Sequence, residues 1–486
     1  MAAIPFGEYR PDVADYKNTF ASYLNNVFPR ADGYGPVPSM SAYSTALAGT
    51  CRGHFKALKT DGSVSLFAAT STRIYQMSNT DQTWTDVSNG GSAYSALSST
   101  DNWQFAQFGN YVIAVQANVA PQYFDLTSST AFANLGGSPP QAAYVAVVGR
   151  FLVLSGLLNN PYRIQWSGLN GVTTWTSGVN SSDYQDFPDG GIVRGVAGGE
   201  YGYIFQDGAI RQMIYAPGSP VIFQINRISD DRGLYAPYSL IRSGQRVFFL
   251  SAHGFHMINP GEYPIQIGLE RVDRTFFTAL DRGNLQLCLG ASDPKSSRVF
   301  WAYKSNSGSA GLFDSLLCYN YGIDRWTAIT LSGEFLGSMA QPGITLESLN
   351  SISSSLDALP ASLDSYSTST YPEVAVFNSS HVLSFLRGSN LEAIVETAAN
   401  SLDNNRIFIS QLRAITDAGT VYGSVGCREK WADLETFTTE QPMDNIGTIP
   451  CRASTRFARG RLRIPSGTAW NSITAIEAEF IGDGER

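Results

Sequence analysis

The chain has 486 residues, of which 43% are hydrophobic and only 15% charged, with 46 Gly, 27 Phe, 24 Tyr and 8 Trp. That is too apolar for a disordered chain and too poor in charge for a coiled coil, and glycine combined with aromatics points to an all-β protein. The formal net charge of −8 excludes the global basic field that supplies much of the affinity of sequence-reading DNA binders.

Of the 33 basic residues only six are Lys, so the cations are mostly the fork-shaped guanidinium favoured in subunit interfaces. The segment Met1–Arg10 carries Pro5, Glu8 and Arg10 where a cleaved export signal has its apolar core. The longest apolar run, Ala142–Val148, stops at Gly149-Arg150, so no membrane-spanning segment is expected. Residues 1–48, rich in Pro, Tyr and Asn, are expected to form an arm, or a strand that closes a ring.

From about residue 49 one phrase repeats: an apolar run, a Gly/Asn/Asp turn, a second run, another turn, a third run, then a loop and an aromatic. The first copy holds His54–Thr60, Ser63–Ala69, Thr72–Met77 and a short run around Trp84. The second turns at Gly109-Asn110 and ends around Phe132; the third turns at Gly149-Arg150 and ends at Thr173–Thr176 around Trp175. Such runs, rich in Val, Ile, Phe, Tyr and Thr, are short antiparallel strands joined by hairpins. The aromatic recurs after 48 and then 43 residues, and again in Asp324-Arg325-Trp326-Thr327. A four-stranded unit of 40–50 residues is the period of a β-propeller blade. Residues 49–398 therefore predict a propeller of six or seven blades, with Trp84, Phe132, Trp175 and Trp326 as equivalent inter-blade core residues. The seventh blade would take Leu391–Thr397 as its fourth strand.

Inside that last unit, residues 346–370 are rich in Ser and Leu. The spacing of Leu349, Ile352, Leu356, Leu359 and Leu363 is roughly helical, which makes this insertion a candidate subunit-docking element. Residues 399–486 predict a small β domain, completed by the N-terminal arm. There Arg459, Arg461 and Arg463 alternate with aliphatics, so they share one strand face and form a candidate C-terminal interface.

The sequence carries no catalytic signature. The five cysteines are scattered, with no metal-ligand spacing, and no H-E-x-x-H is present. A Ser78–Trp84 segment matches a sialidase Asp-box only in its aspartate and tryptophan. Asp183, Asp186 and Asp189 lie in a Gly/Pro/Ser loop, where Asp is mostly turn chemistry. Neither a phosphate-binding loop nor a nucleophile elbow occurs. No catalytic, cofactor-binding or metal residue is assigned, and no enzyme activity is expected.

Several phrases nevertheless carry a family likeness. They are Asn26-Val27-Phe28-Pro29, Gly33-Tyr34-Gly35-Pro36, Trp103–Gly109, Gly136–Pro140, Gln165-Trp166-Ser167-Gly168, Asp183–Gly191, Tyr319–Trp326, Leu356–Pro360, Ser362-Leu363-Asp364-Ser365, and the Arg-rich strand before Trp470. In these the chain resembles the nozzle, or tail hub, proteins of short-tailed bacteriophages, a family that includes packaged-DNA stabilisation proteins. The resemblance implies a virion protein of the tail, assembled in the host cytoplasm as a homo-hexamer under the adaptor ring, the head-to-tail connector. It implies contact with a tail fibre or spike, and double-stranded DNA passing through the channel without sequence-specific binding. The genome would be retained and its ejection gated, with the chain ends building the tube and residues 1–48 meeting the adaptor. Six copies of a −8 chain carry a formal −48, which would repel DNA phosphates from the wall. The alternative is a receptor-binding or glycan-degrading tail protein, which would need paired carboxylates across a cleft.

Overall fold

In a computed structural model of the chain, residues 2–16, 18–219, 221–341, 355, 357, 369–401 and 405–482 are described. The Ser/Leu-rich docking candidates Leu349, Ile352, Leu356, Leu359 and Leu363 lie outside the described residues. Among these residues the strand pairing resolves into seven four-stranded antiparallel sheets and two larger ones.

The hairpin signals act locally as their chemistry requires. Phe108 is followed by a strand at Tyr111 and Val148 by one at Phe151, each across two residues. Gly109 and Gly149 hold φ of +59° and +55°, the left-handed value demanded at the first position of a type II′ hairpin turn. Behind those turns the second strands, such as Phe151–Leu157, are buried almost throughout. Buried on both faces, they read as continuous apolar runs.

Blades 1 to 6 take their strands consecutively. They span His54–Leu58 to Trp84–Asp86, Gln104–Phe108 to Ala133–Asn134, Ala142–Val148 to Asp183–Asp186, Val193–Ala197 to Phe223–Ser229, Ile241–Ser243 to Ile265–Gln266, and Leu289–Asp293 to Arg325–Gly333. Blade 7 orders Phe335–Gln341, Ser369–Phe377, Val382–Asn390 and then Pro38–Ala46. The first strand of blade 7 packs against that of blade 1, which closes the wheel. Hydrophobic side chains fill the spaces between neighbouring blades in separate clusters, as a radial stack of sheets requires.

The chain is thus all-β, a seven-bladed propeller closed by an N-terminal strand, with a second β body beside it. Two strand assignments change. Leu391–Thr397 is not the fourth strand of blade 7: Pro38–Ala46 occupies that place, in register from Val382↔Ala46 to Asn390↔Pro38, and Ala393–Glu396 joins the second body. The fourth strand of blade 3 is Asp183–Asp186, not Thr173–Thr176. An outermost strand faces water on one side, so its polar sequence reads as a loop.

The second body packs two sheets face to face. One orders Val27–Pro29, Tyr34–Pro36, Ile473–Gly482, Ile407–Thr416 and Thr448–Thr455, with Ala2–Pro5 added beside Ile473–Gly482. The other orders Leu24–Asn25, Ala393–Glu396, Phe457–Ile464, Tyr422–Arg428 and Thr436–Phe437, with Gln441–Pro442 also on Tyr422–Arg428. Ile409, Leu412, Ile449 and Ile476 of the first meet Val395, Val425, Leu462 and Ile464 of the second in one core. That core runs on into blades 5 and 6 through Phe248, Phe255, Trp301 and Trp326.

Candidate assembly surface

The arm binds the two bodies together. Its Asn26 donates its N–H to Ala328 O (3.1 Å), while Thr327 Oγ1 donates to Val27 O (2.8 Å) on the outer strand of blade 6. Further back, Asp12 accepts from Arg274 N and Thr275 N, both 2.8 Å, and from Thr275 Oγ1 at 2.7 Å. These are orphan donors at the start of helix α1 (Asp273–Ala279), so a residue some 260 positions away caps it. Tyr16 packs edge-on against Trp431 (5.2 Å) and Phe457 (5.8 Å) of the sandwich.

The arginine strand Phe457–Ile464 explains much of this attachment. Leu462 and Ile464 point into the sandwich core, and the alternation places Arg461 and Arg463 on the other face. Arg459 is buried and pairs with Asp15 of the arm, with Glu396 (3.0 Å) and with Glu435 (3.4 Å). Arg461 pairs with Glu396 (2.6 Å) and lies 3.5 Å over the Phe437 ring. Arg463 takes Glu392 (3.0 Å) and Glu440 (2.8 Å) and lies over Tyr422. Burial pushes the Glu396 carboxyl up against the pull of Arg461, and it draws the Arg459 guanidinium down to about 10. The charges of the three arginines are therefore matched within the chain, beside a cleft of about 820 Å³. Reading the sequence found the arginines but missed Glu392, Glu396, Glu435, Glu440 and Asp15. Glu392 lies just before the strand Ala393–Glu396 and the other acids lie on separate segments, so no local spacing tied them to the arginines.

The outside of the sandwich is less well covered. Thr448–Thr455 pairs only with Ile407–Thr416, leaving its other edge open among the described residues. Ala2–Pro5 covers Ile473–Gly482 only as far as Ala478, so residues 479–482 also have an open edge among the described residues. Leu434 is 92% exposed, Ile446 73% and Ile481 63%, and Phe480 is also exposed. Open strand edges and bare apolar side chains are what isolated β proteins avoid.

The four predicted aromatics occupy different places. Trp326 is fully buried on the outer strand of blade 6, stacked 5.6 Å from Trp301, with its indole N–H donating to Ile267 O (3.0 Å). Phe132 lies between blades 1 and 2, against Phe67 and Phe124. Trp175 lies between blades 2 and 3, but on a connection and not on the fourth strand. Trp84 is only partly buried and donates to Ser44 Oγ (3.1 Å) and Thr45 O (3.2 Å) of the closing strand. Trp84, Trp175 and Trp326 are therefore not structural equivalents.

The aspartate loop is tied down by guanidinium groups. Arg163 makes a two-pronged pair with Asp186 (2.6 and 2.8 Å) and lies over Tyr184. Asp189 holds Arg211 and Arg227, each at 2.5 Å. Among the described residues no group of three or more His, Cys, Asp or Glu could hold a metal ion, and no helix is long and apolar enough to cross a membrane.

No family model and no curated protein matches the chain. Similar solved structures include the extracellular domain of BT4673 from B. thetaiotaomicron, in forms named as a one component system and as a hybrid two component system. Both are 9% identical, with TM-scores of 0.41 and 0.42, over 81% and 78% of this chain. The matches cover only 43% and 44% of those chains. YCF48 bound to D1 peptide matches at 13% identity over 60% of this chain and 86% of its own, with a TM-score of 0.35.

Proposed function

We propose that the chain is a nozzle, or tail hub, subunit of a short-tailed phage, six copies of which surround a passage for the genome below the adaptor ring. The observation that supports it most is the division of labour along the chain. Both ends build a β sandwich that is welded to a closed wheel but leaves strand edges and apolar side chains bare. An assembly subunit needs such a surface, and a lone scaffold has no use for it. In this reading the sandwich carries the ring contacts and the wheel lies outside, where a tail fibre or spike attaches. The acidic chain suits a wall along which duplex DNA slides: at −8 per copy the hexamer repels phosphate.

Native mass spectrometry of the full chain tests this. Six copies are expected, with the adaptor present if the ring needs its template. Three copies would favour the receptor-binding or glycan-degrading reading, and a persistent monomer with adaptor present would overturn the proposal.

A further inference from the structure

The axis of the wheel carries charge of the opposite sign to the chain as a whole. The first strand of every blade is the end strand of its sheet, and these strands line the axis. Two connected hollows lie there. One, of about 410 Å³, is walled by the first strands of blades 1 to 4 and by Leu240 and Arg242. The other, of about 470 Å³, shares Leu240 and Arg242 and reaches Lys56 of blade 1, Ser292 of blade 6 and Ser338 of blade 7. No Asp or Glu among the described residues lines either hollow, although the chain has 41 acidic residues against 33 basic.

Among the described residues the two cations have no partner of opposite charge. Lys56, one of six lysines, makes no ion pair or hydrogen bond among the described residues, and its half-burial draws its ammonium pKa down. Arg242 donates through Nε to Gly244 O (2.9 Å) and meets no carboxylate among the described residues. Ser338 Oγ accepts from Ser292 N (2.7 Å) and donates to Ser292 O (2.8 Å), and the Ser292 hydroxyl meets Ser338 Oγ only at a long 3.4 Å, so it can turn to a ligand. A half-buried ammonium with no counter-charge is costly, and an anion between it and a guanidinium removes that cost. The volume lies in the range of small-molecule sites.

We infer that the axial hollow of the propeller is a binding site for a small polyanion bearing phosphate or carboxylate groups, held by Lys56, Arg242 and Ser292. The site is independent of the nozzle reading, since it needs only the closed wheel.

Calorimetric titration of the full chain with inorganic phosphate, and separately with citrate, tests the inference. Saturable binding of at least one anion, one site per chain, is expected. Lys56→Met and Arg242→Gln should each weaken it about tenfold to a hundredfold, as loss of a charge-assisted contact does. Lys56→Arg should retain it to within about threefold, and melting of the unliganded variants shows that each is folded. Phosphate alone, or citrate alone, would assign the class. No saturable binding of either anion, or binding that both charge-removing variants leave unchanged, would overturn the site.

Discussion

His54 and Asp273 pull the stability of the wheel in opposite directions over one pH range. The His54 ring sits at the closure of blade 7 on blade 1, 5.2 Å from Phe335, with both ring nitrogens buried and without a hydrogen-bond partner among the described residues. Gly337 is there because a Cβ would lie 2.1 Å from that ring. Burial lowers the His54 pKa from 6.5 to about 4, so its contribution is complete above pH 6.5 and is lost as pH falls toward 4. Asp273, buried against blade 5, accepts from Phe255 N (3.1 Å) and Gln266 Nε2 (3.0 Å), yet burial raises its pKa from 3.8 to about 6. Its contribution is complete below pH 3.8 and is lost as pH rises through 6. Thermal melting between pH 4 and 7 should therefore show His54→Phe gaining stability relative to wild type toward acid, by up to about 3 kcal/mol. Asp273→Asn should gain toward neutral pH. Parallel curves for the variants and wild type would refute both assignments. Among the aromatics, Trp326→Ala should cost about 3–5 kcal/mol in urea unfolding and Trp84→Ala clearly less, because only the first is fully buried. Equal losses would contradict the difference in their surroundings.

Two elements carry attachments that no local pattern announces. Helix α1 is capped by Asp12, so Asp12→Ala should cost about 1–2 kcal/mol, the range of a lost N-cap, and should speed proteolysis within residues 8–16. An unchanged cleavage rate would show that the arm is held elsewhere. In the arginine strand, Arg459→Met would strand the buried Glu396 with Arg461 as its remaining partner, and a loss of about 3–5 kcal/mol is expected in urea unfolding. A loss below about 1 kcal/mol would mean that Arg461 suffices. The legibility of the sequence follows the same division. Strands buried on both faces and hairpins turning on Gly109 or Gly149 are written in consecutive residues, and those were readable. The alternation of Arg461 and Arg463 with Leu462 and Ile464 was readable as a two-faced strand. Its carboxylate partners were not, since pairing across 63 residues to Glu396, or to the arm, leaves no trace of spacing. Asp183–Asp186 looked like a turn because the outer edge of a blade needs little apolar surface.

For the whole molecule, the repeat gave the wheel but left its count between six and seven, because the last blade borrows its fourth strand from the other end of the chain. Leu391–Thr397 filled that place in the sequence reading by proximity alone. The assembled charge offers a test at this scale. If six copies line a passage, lowering ionic strength should strengthen the repulsion between wall and duplex and reduce non-specific DNA retention by the full chain. Retention that rises steeply as salt falls would identify a basic inner surface and contradict a sliding wall.

The borrowed strand also sets a timetable for synthesis. Pro38–Ala46 leaves the ribosome some 340 residues before its neighbour Val382–Asn390. At about 5–20 residues per second that is a wait of about 20–70 s, during which the nascent chain holds an unmated ribbon. The ribbon is rich in Ser, with Tyr43 and Thr45, in place of a greasy run, which keeps it soluble while it waits.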